Sequence, residues 1–326
     1  MPAIERLSSN TLIIKAPYLH LDNTFSCGQI FCWKKTSVHT WSGWIDDTPV
    51  TIQDTADGYG TFLLSYCPKQ LTLQRIKEFF CLDLDPSQIL RTFPANDPFL
   101  SEALSTAAGI VILRQHPWEC LASFICSSQK QLPHIQNINA QLRALFGQQG
   151  RFPTAQSIAA LPTSQLQRAG LGYRARYLHE TACRIAAKPE WLQGLYSLPT
   201  SDLIAQLSTL PGVGQKIAHC VALFAYHRLE AFPVDVWVHR IVTQLYYPRL
   251  LRKPSPREIY AFGPSYFGPY CGVAQQILFH WLRTMQLEKR KQIFTRARKL
   301  QLPAAYRVLR HLRHTFNSHH KQRRAK

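Results

Sequence analysis

Between Leu210 and Asp235 the chain reads LPGVGQKIAHCVALFAYHRLEAFPVD, which joins a grip for an anion to a group that could act as a nucleophile. Gly212 and Gly214 flank Val213, so the backbone can turn sharply and approach a partner without interference from Cβ atoms. The free N–H groups that open the next helix then point outward, where they can hold a phosphate. Lys216 falls in the first turn, beside the positive end of the helix dipole, which favours the neutral amine. A neutral lysine beside a grip for a nucleic-acid backbone is suited to attack on the sugar of a damaged nucleotide. The same residues also read as an ordinary turn with a solvated lysine. Phe232-Pro233-Val234-Asp235 is a rigid approach ending in a helix N-cap, with the helix continuing through Val236, Trp237, Val238 and Ile241. Asp235 could be a cap and nothing more. A capped carboxylate is also held rigidly enough to face whatever the preceding helix presents.

The rest of the chain must position these groups. Residues 10–67 carry short alternating stretches, including Thr11–Ile14, Gln29–Trp33 and Thr61–Leu64, broken by Gly, Asp and Pro, and these predict antiparallel strands. From Thr72 the period becomes helical. Helices are expected over 98–113, 117–130, 134–146, 154–160, 175–187, 201–207, the Lys216 segment, 236–245, 255–262 and 271–285. The expected class is α+β: an N-terminal antiparallel β-sheet domain (1–95) packed on a two-part all-helical body (96–285) with a helix–hairpin–helix motif, then a basic extension (286–326).

Composition narrows the partner. Lys and Arg number 38 against 19 Asp and Glu, a net charge of +19 with a pI near 9.8, as in proteins that bind nucleic acid. The charge is uneven: from Gln286 onward there are 13 basic residues and one acidic, leaving 25 basic against 18 acidic elsewhere. The terminal run HHKQRRAK is expected to be a disordered basic tail that adds non-specific DNA affinity. Nine cysteines form no Cys-x2-Cys pair, so neither a zinc site nor an iron–sulfur cluster is expected, and no cofactor. Cys120 and Cys126 lie in apolar runs and should be buried thiols. The N-terminus lacks a signal pattern and no run approaches 18 apolar residues, so an intracellular chain in a reducing compartment, with no membrane contact, is expected.

Taken together, the 210–235 segment closely resembles the helix–hairpin–helix and Gly/Pro…Asp signature of base-excision DNA glycosylases (HhH-GPD), and in particular the 8-oxoguanine DNA glycosylase/lyases. Other landmarks follow in that family's order: Gly28–Trp33 with Trp41-Ser42-Gly43, Ser123–Ser128, Gly170–Tyr177, and Gly268-Pro269-Tyr270 with Ala274-Gln275. The resemblance implies that Lys216 attacks C1′ of a flipped nucleotide, expels the base and forms a Schiff base, after which β-elimination nicks the strand on the 3′ side. It implies that Asp235 stabilises positive charge developing on the sugar. The Gly28 carbonyl would accept a hydrogen bond from N7–H of 8-oxoguanine, which guanine lacks, although a plain strand-end turn is the alternative. Phe279 and Cys220 would sandwich the base and Gln275 would bind its Watson–Crick edge. Read on its own, Phe279 is as consistent with a core side chain. Cys220 lies one helical turn beyond Lys216, so spacing alone puts it on the same face.

Tyr173 and Arg174 would enter the duplex, the tyrosine as a wedge and the arginine toward the orphaned base. A loop tyrosine packed on its own glycines is the alternative. Two departures bear on specificity. Gln129-Lys130-Gln131 stands where the eukaryotic enzymes carry three asparagines, and His134 replaces an arginine, so weaker discrimination for cytosine opposite the lesion is expected, as in the bacterial branch of the family. Trp237 replaces a histidine and puts one phosphate contact in doubt. The expected partner is damaged double-stranded DNA, bound by a monomer, in the bacterial cytoplasm rather than a nucleus. Two other classes stay open: a non-catalytic helix–hairpin–helix module, and a glycosylase for another damaged base.

Overall fold

Alternation of apolar and polar residues drives the N-terminal sheet. Strands β1 (Ala3–Arg6), β2 (Thr11–Lys15), β3 (Lys34–Ser37), β4 (Thr40–Ile45), β5 (Thr48–Asp54) and β6 (Thr61–Ser65) form one antiparallel sheet in the order β1-β2-β6-β5-β4-β3. Every second residue of β2, β4 and β6 is buried, as a half-solvated sheet requires. The covered face packs Leu12, Ile14, Ile52, Phe62 and Leu64 against Phe25, Trp33, Phe79 and Phe80. Gly43 is required there: a Cβ would meet the Trp33 ring at 2.4 Å. This computed structural model describes the backbone of residues 2–55, 60–250, 252–300 and 302–324, and side chains as far as residue 313.

Contacts divide the chain into two units. The first, residues 1–85 and 109–228, holds the sheet with α1 (Leu21–Ser26), α2 (Leu73–Phe79), α5 (Pro117–Cys126), α6 (Leu132–Phe146), α7 (Ala155–Ala159), α8 (Thr163–Gln167), α9 (Arg174–Ala187), α10 (Trp191–Gly194), α11 (Thr200–Leu207) and α12 (Gln215–Phe224). The second, residues 86–108 and 229–326, holds α3 (Pro86–Arg91), α4 (Pro98–Thr106), α13 (Val236–Ile241), α14 (Pro256–Phe267), α15 (Cys271–Thr284), α16 (Leu287–Leu300) and α17 (Pro303–Arg324). Its centre is aromatic: Tyr246, Phe262, Tyr266 and Phe267 stack edge and face. The Tyr246 hydroxyl donates to Asp97 at 2.9 Å, while that carboxylate also accepts from Phe99 N and Leu100 N as the α4 cap.

Three expectations change. Gln29–Trp33 is not a strand but an irregular segment, because Gly28 at φ +86° breaks the line and the Gln29 side chain is buried among backbone groups of residues 24, 111 and 113. Helix 98–113 stops at Thr106, where Gly109 takes φ +77°. The tail expected to be disordered is helical as far as Arg324, within α17, and its last two residues lie outside the described residues. The start of that helix is anchored: the Tyr247 hydroxyl donates to Ala305 O, and Arg313 reaches Glu258 at 2.9 Å.

Two imidazoles of the first unit give its stability a pH dependence. Burial pushes both His219 and His227 down to about 4. Their folded values lie below the unfolded one near 6.5, so the unfolded chain takes up protons that the folded chain refuses as pH falls. The lost stability accrues between about pH 6.5 and 4, at up to ~1.4 kcal/mol per pH unit for each histidine. Urea unfolding at pH 7 and pH 5 should differ by about 2–4 kcal/mol, and His227→Gln should remove roughly half of that difference. An equal difference in both proteins would exclude His227 as a cause.

Candidate functional site

Lys216 sits in the first turn of α12, whose N-cap is Gly214. The lysine Nζ donates to Ser127 Oγ at 3.2 Å and lies 5.1 Å from the centre of the Phe124 ring. Ser127 is the C-cap of α5, and its hydroxyl donates to Phe124 O at 2.7 Å. With that proton committed, only the serine lone pairs face the lysine, so Ser127 is the acceptor of this pair. Cys220, one turn along α12, is buried. Neither Ser127 nor Phe124 was singled out from sequence, although both fall in the Ser123–Ser128 landmark.

The hairpin before α12 shows why its two glycines differ. Gly212 takes φ +73°, and a Cβ there would meet Tyr177 Cβ at 2.7 Å. Gly214 is extended, at φ −87°, and a Cβ there would meet nothing within 4 Å. Val213 between them is buried. Gly212→Ala is therefore expected to lower stability by about 1–3 kcal/mol in urea unfolding, from left-handed strain plus displacement of Tyr177. Gly214→Ala should leave stability within about 0.5 kcal/mol, so any DNA affinity it loses reports contact at that backbone. Equal losses of stability in the two variants would contradict this assignment.

Tyr177 links the hairpin to the loop that carries Tyr173. Its ring meets Tyr173 edge-on at 6.2 Å, and Tyr173 itself is 54% exposed. Gly170 and Gly172 hold positive φ on either side of Leu171, which brings the loop round to α9. Arg174 behaves differently from its neighbour: it is buried, with Nε donating to Ser128 O at 2.8 Å, Nη2 to the same carbonyl and Nη1 to Leu171 O at 3.2 Å. Its guanidinium also lies 4.3 Å from the Tyr173 ring centre. Arg174 thus ties the 170–173 loop to the residue before Gln129. Gln129 is exposed at φ +53°, and His134 is exposed in the first turn of α6. One continuous set of contacts in the first unit therefore joins the hairpin, the Tyr173 loop, the Gln129 loop and, through Ser127, the lysine.

Gly28 is placed by its neighbours. Gln29 Nε2 donates to Val111 O at 2.8 Å, Leu113 N donates to Gln29 Oε1 at 2.9 Å, and Gln115 Nε2 donates to Gln29 O at 2.8 Å. These bonds hold the Gly28 turn as a rigid backbone position rather than a strand end.

The second unit carries the other candidates. Asp235 caps α13 as its sequence suggests, accepting from Val238 N at 2.7 Å. On α15 every residue from Cys271 to Leu278 is buried, whereas Phe279 is only partly so, with the Arg283 guanidinium 5.3 Å from its ring centre. Gln275, one turn earlier, is buried and its Oε1 has no hydrogen-bond partner among the described residues. A buried amide oxygen without a partner is unfavourable by about 1–3 kcal/mol, which a ligand donor would relieve. Trp237 lies beside two guanidinium groups, Arg240 at 5.2 Å and Arg290 at 4.7 Å. No group of three metal-ligating side chains occurs among the described residues, and no helix there is long and apolar enough to cross a membrane.

Residues 11–121 match the family described as 8-oxoguanine DNA glycosylase, N-terminal domain, and residues 122–262 match HhH-GPD superfamily base excision DNA repair protein. The N-glycosylase/DNA lyase OGG1 of Arabidopsis thaliana is 33% identical over 284 residues, covering 80% of this chain and 76% of that protein. The solved structure of MBOgg1 with a low-affinity DNA ligand aligns at TM-score 0.79 and 30% identity, over 86% of this chain and 98% of that one. The Clostridium acetobutylicum 8-oxoguanine glycosylase/lyase, solved with double-stranded DNA containing cytosine opposite 8-oxoG, aligns at TM-score 0.78 and 28% identity, over 87% and 97%.

Proposed function

This chain belongs to the 8-oxoguanine DNA glycosylase/lyase family of HhH-GPD base-excision repair proteins, and we propose that it excises 8-oxoguanine from duplex DNA with Lys216 as the attacking group. The observation that carries the assignment is the lysine at the mouth of α12, held by Ser127 and Phe124 in contact continuity with the hairpin and the wedge loop. Lys216 Nζ attacks C1′, the C1′–N9 bond breaks and the base departs with its electron pair. The nitrogen gives up one proton, the C1′–O4′ bond breaks with its pair and that proton going to O4′, and the opened sugar is left as an iminium that keeps one N–H. Loss of a C2′ proton then expels the 3′ phosphate and nicks the strand. Ser127 accepts from the N–H that remains on nitrogen at each stage.

Extrusion of the base unstacks the duplex, and Tyr173 fills the vacated space. Arg174 acts first as the brace between the Tyr173 and Gln129 loops, and only its remaining N–H groups are left for the orphaned base. Gly28 presents its carbonyl to N7–H, Gln275 offers an unpaired amide oxygen to the Watson–Crick edge, and Phe279 with Cys220 covers the base. Asp235 stabilises the cationic sugar. Gly212, Val213 and Gly214 bind the phosphate backbone. Gln129 and His134 face the opposite base with no guanidinium fork, so discrimination for cytosine is weaker than an arginine there would give. The bacterial-like Gln129 and Trp237 support a bacterial nucleoid rather than a nucleus as the place of action, with the protein acting as a monomer.

Borohydride trapping tests this reading on duplexes with one 8-oxoguanine opposite C or opposite A, beside an undamaged control. The expected result is a covalent band on both damaged duplexes and none on the control. Tight binding without a band would leave the helix–hairpin–helix module reading, and a band confined to another lesion would leave a different glycosylase.

A further inference from the structure

Within the second unit, Trp237 on α13 carries two arginines on one indole. The guanidinium carbon of Arg240 lies 5.2 Å from the ring centre and that of Arg290, on α16, lies 4.7 Å from it, so the two cations stand within about 10 Å of each other. Neither forms an ion pair with a carboxylate among the described residues. Arg240 is exposed, with its guanidinium on the indole. Arg290 is held in place, with Nε donating to Leu282 O at 2.9 Å and Nη2 to Met285 O at 2.7 Å. Burial and then the Arg240 charge hold the Arg290 guanidinium below the ordinary arginine range, and no carboxylate offsets that pressure.

Two like charges brought to one ring repel, and a cation–ring contact at an exposed site returns little against that repulsion. An anion bound between the guanidinium groups would remove the repulsion and take up the N–H groups that protein acceptors leave free. Arginine's planar fork matches phosphate oxygens better than any other side chain. Trp237 and Arg240 lie two and five residues along the chain from Asp235, so an anion held there would be close to whatever Asp235 acts on.

We propose that Arg240 and Arg290, arranged on Trp237, form a binding site for one phosphodiester of the DNA backbone close to the excised nucleotide. It rests on the DNA-repair reading for its ligand, but not on Lys216 or on any step of the chemistry. Arg290 fixes one side of the site through its carbonyl bonds, and Arg240 supplies the mobile side. Trp237 orients both and cannot itself bind an anion through a charge.

The test uses full-length protein and duplexes whose central residue is a tetrahydrofuran abasic analogue, which has no base to excise. A series carries a single neutral methylphosphonate at each linkage within four of that centre. Equilibrium affinities are measured at fixed salt for the wild type, Arg240→Gln and, as a control, Lys289→Gln, an exposed charge on α16. The expected result is one linkage whose neutralisation weakens the wild type and Lys289→Gln by about 5–10-fold but Arg240→Gln by less than about 2-fold. The salt slope of Arg240→Gln on the all-phosphate duplex should fall by about 0.9, the value for one lost phosphate contact. If every linkage costs the three proteins equally, Arg240 contributes only to the general field and the proposal is overturned. Borohydride trapping by the wild type is scored separately, so failure of the glycosylase reading shows as absent trapping and failure of this site as equal linkage costs.

Discussion

Lys216→Gln should bind an 8-oxoguanine duplex almost as tightly as the wild type and yield no borohydride-trapped complex. Removing a nucleophile from an enzyme of this kind is expected to slow the chemical step by at least about 10⁴-fold, close to 5.5 kcal/mol of barrier. Folding should hardly change. The lysine is only partly buried, its side chain makes one hydrogen bond, to Ser127, and a glutamine amide can donate to that hydroxyl. Equal urea midpoints for the two proteins would show that the lost activity is chemical. Residual trapping in Lys216→Gln above about one thousandth of wild type would point to another amine and remove Lys216 from the centre of the site.

Asp235→Asn separates the two roles that the carboxylate could play. Asparagine caps a helix about as well as aspartate, so the bond from Val238 N should survive and stability should stay within about 0.5 kcal/mol. What disappears is the negative charge. A group that stabilises a developing cationic sugar is worth on the order of 10²–10³-fold, so single-turnover excision should fall by that factor with DNA affinity little changed. Asp235→Ala should lose the same factor and also about 1 kcal/mol of stability, because the cap goes as well. An Asp235→Asn protein with wild-type excision would mean that Asp235 is a cap and nothing more.

These two variants probe groups whose local settings were legible in the sequence, and the reason is physical. A glycine hairpin, a lysine in the first turn, a Pro-Val-Asp cap and an Asp or Ser before a helix all act within four residues. Their signals are local, and the structure places Lys216 on α12 and Asp235 at the α13 cap. The alternating strands β2 and β6 were legible for the same reason, since a two-residue period records which face is buried. Gln29–Trp33 misled because apolar residues in a row mimic a strand. Ile30, Phe31 and Trp33 are buried there without regular alternation, and the segment is held by side-chain bonds to residues 111–115.

Sequence alone therefore determined the family, the hairpin, the lysine in the first turn of the helix that follows it, the capped carboxylate and the +19 charge that draws the chain to DNA. Tertiary structure decided what surrounds them. The Lys216–Ser127 bond spans 89 positions, the Arg174–Ser128 bond spans 46 and the Gln29–Val111 bond spans 82. No pattern along the chain marks such partners, because a hydrogen bond between distant side chains depends on how the elements pack rather than on their periodicity. That is why Arg174, basic and in a loop motif, is buried as a brace while the adjacent Tyr173 is left outside. It is also why Phe279 is partly open on a helix whose preceding residues, from Cys271 to Leu278, are all buried.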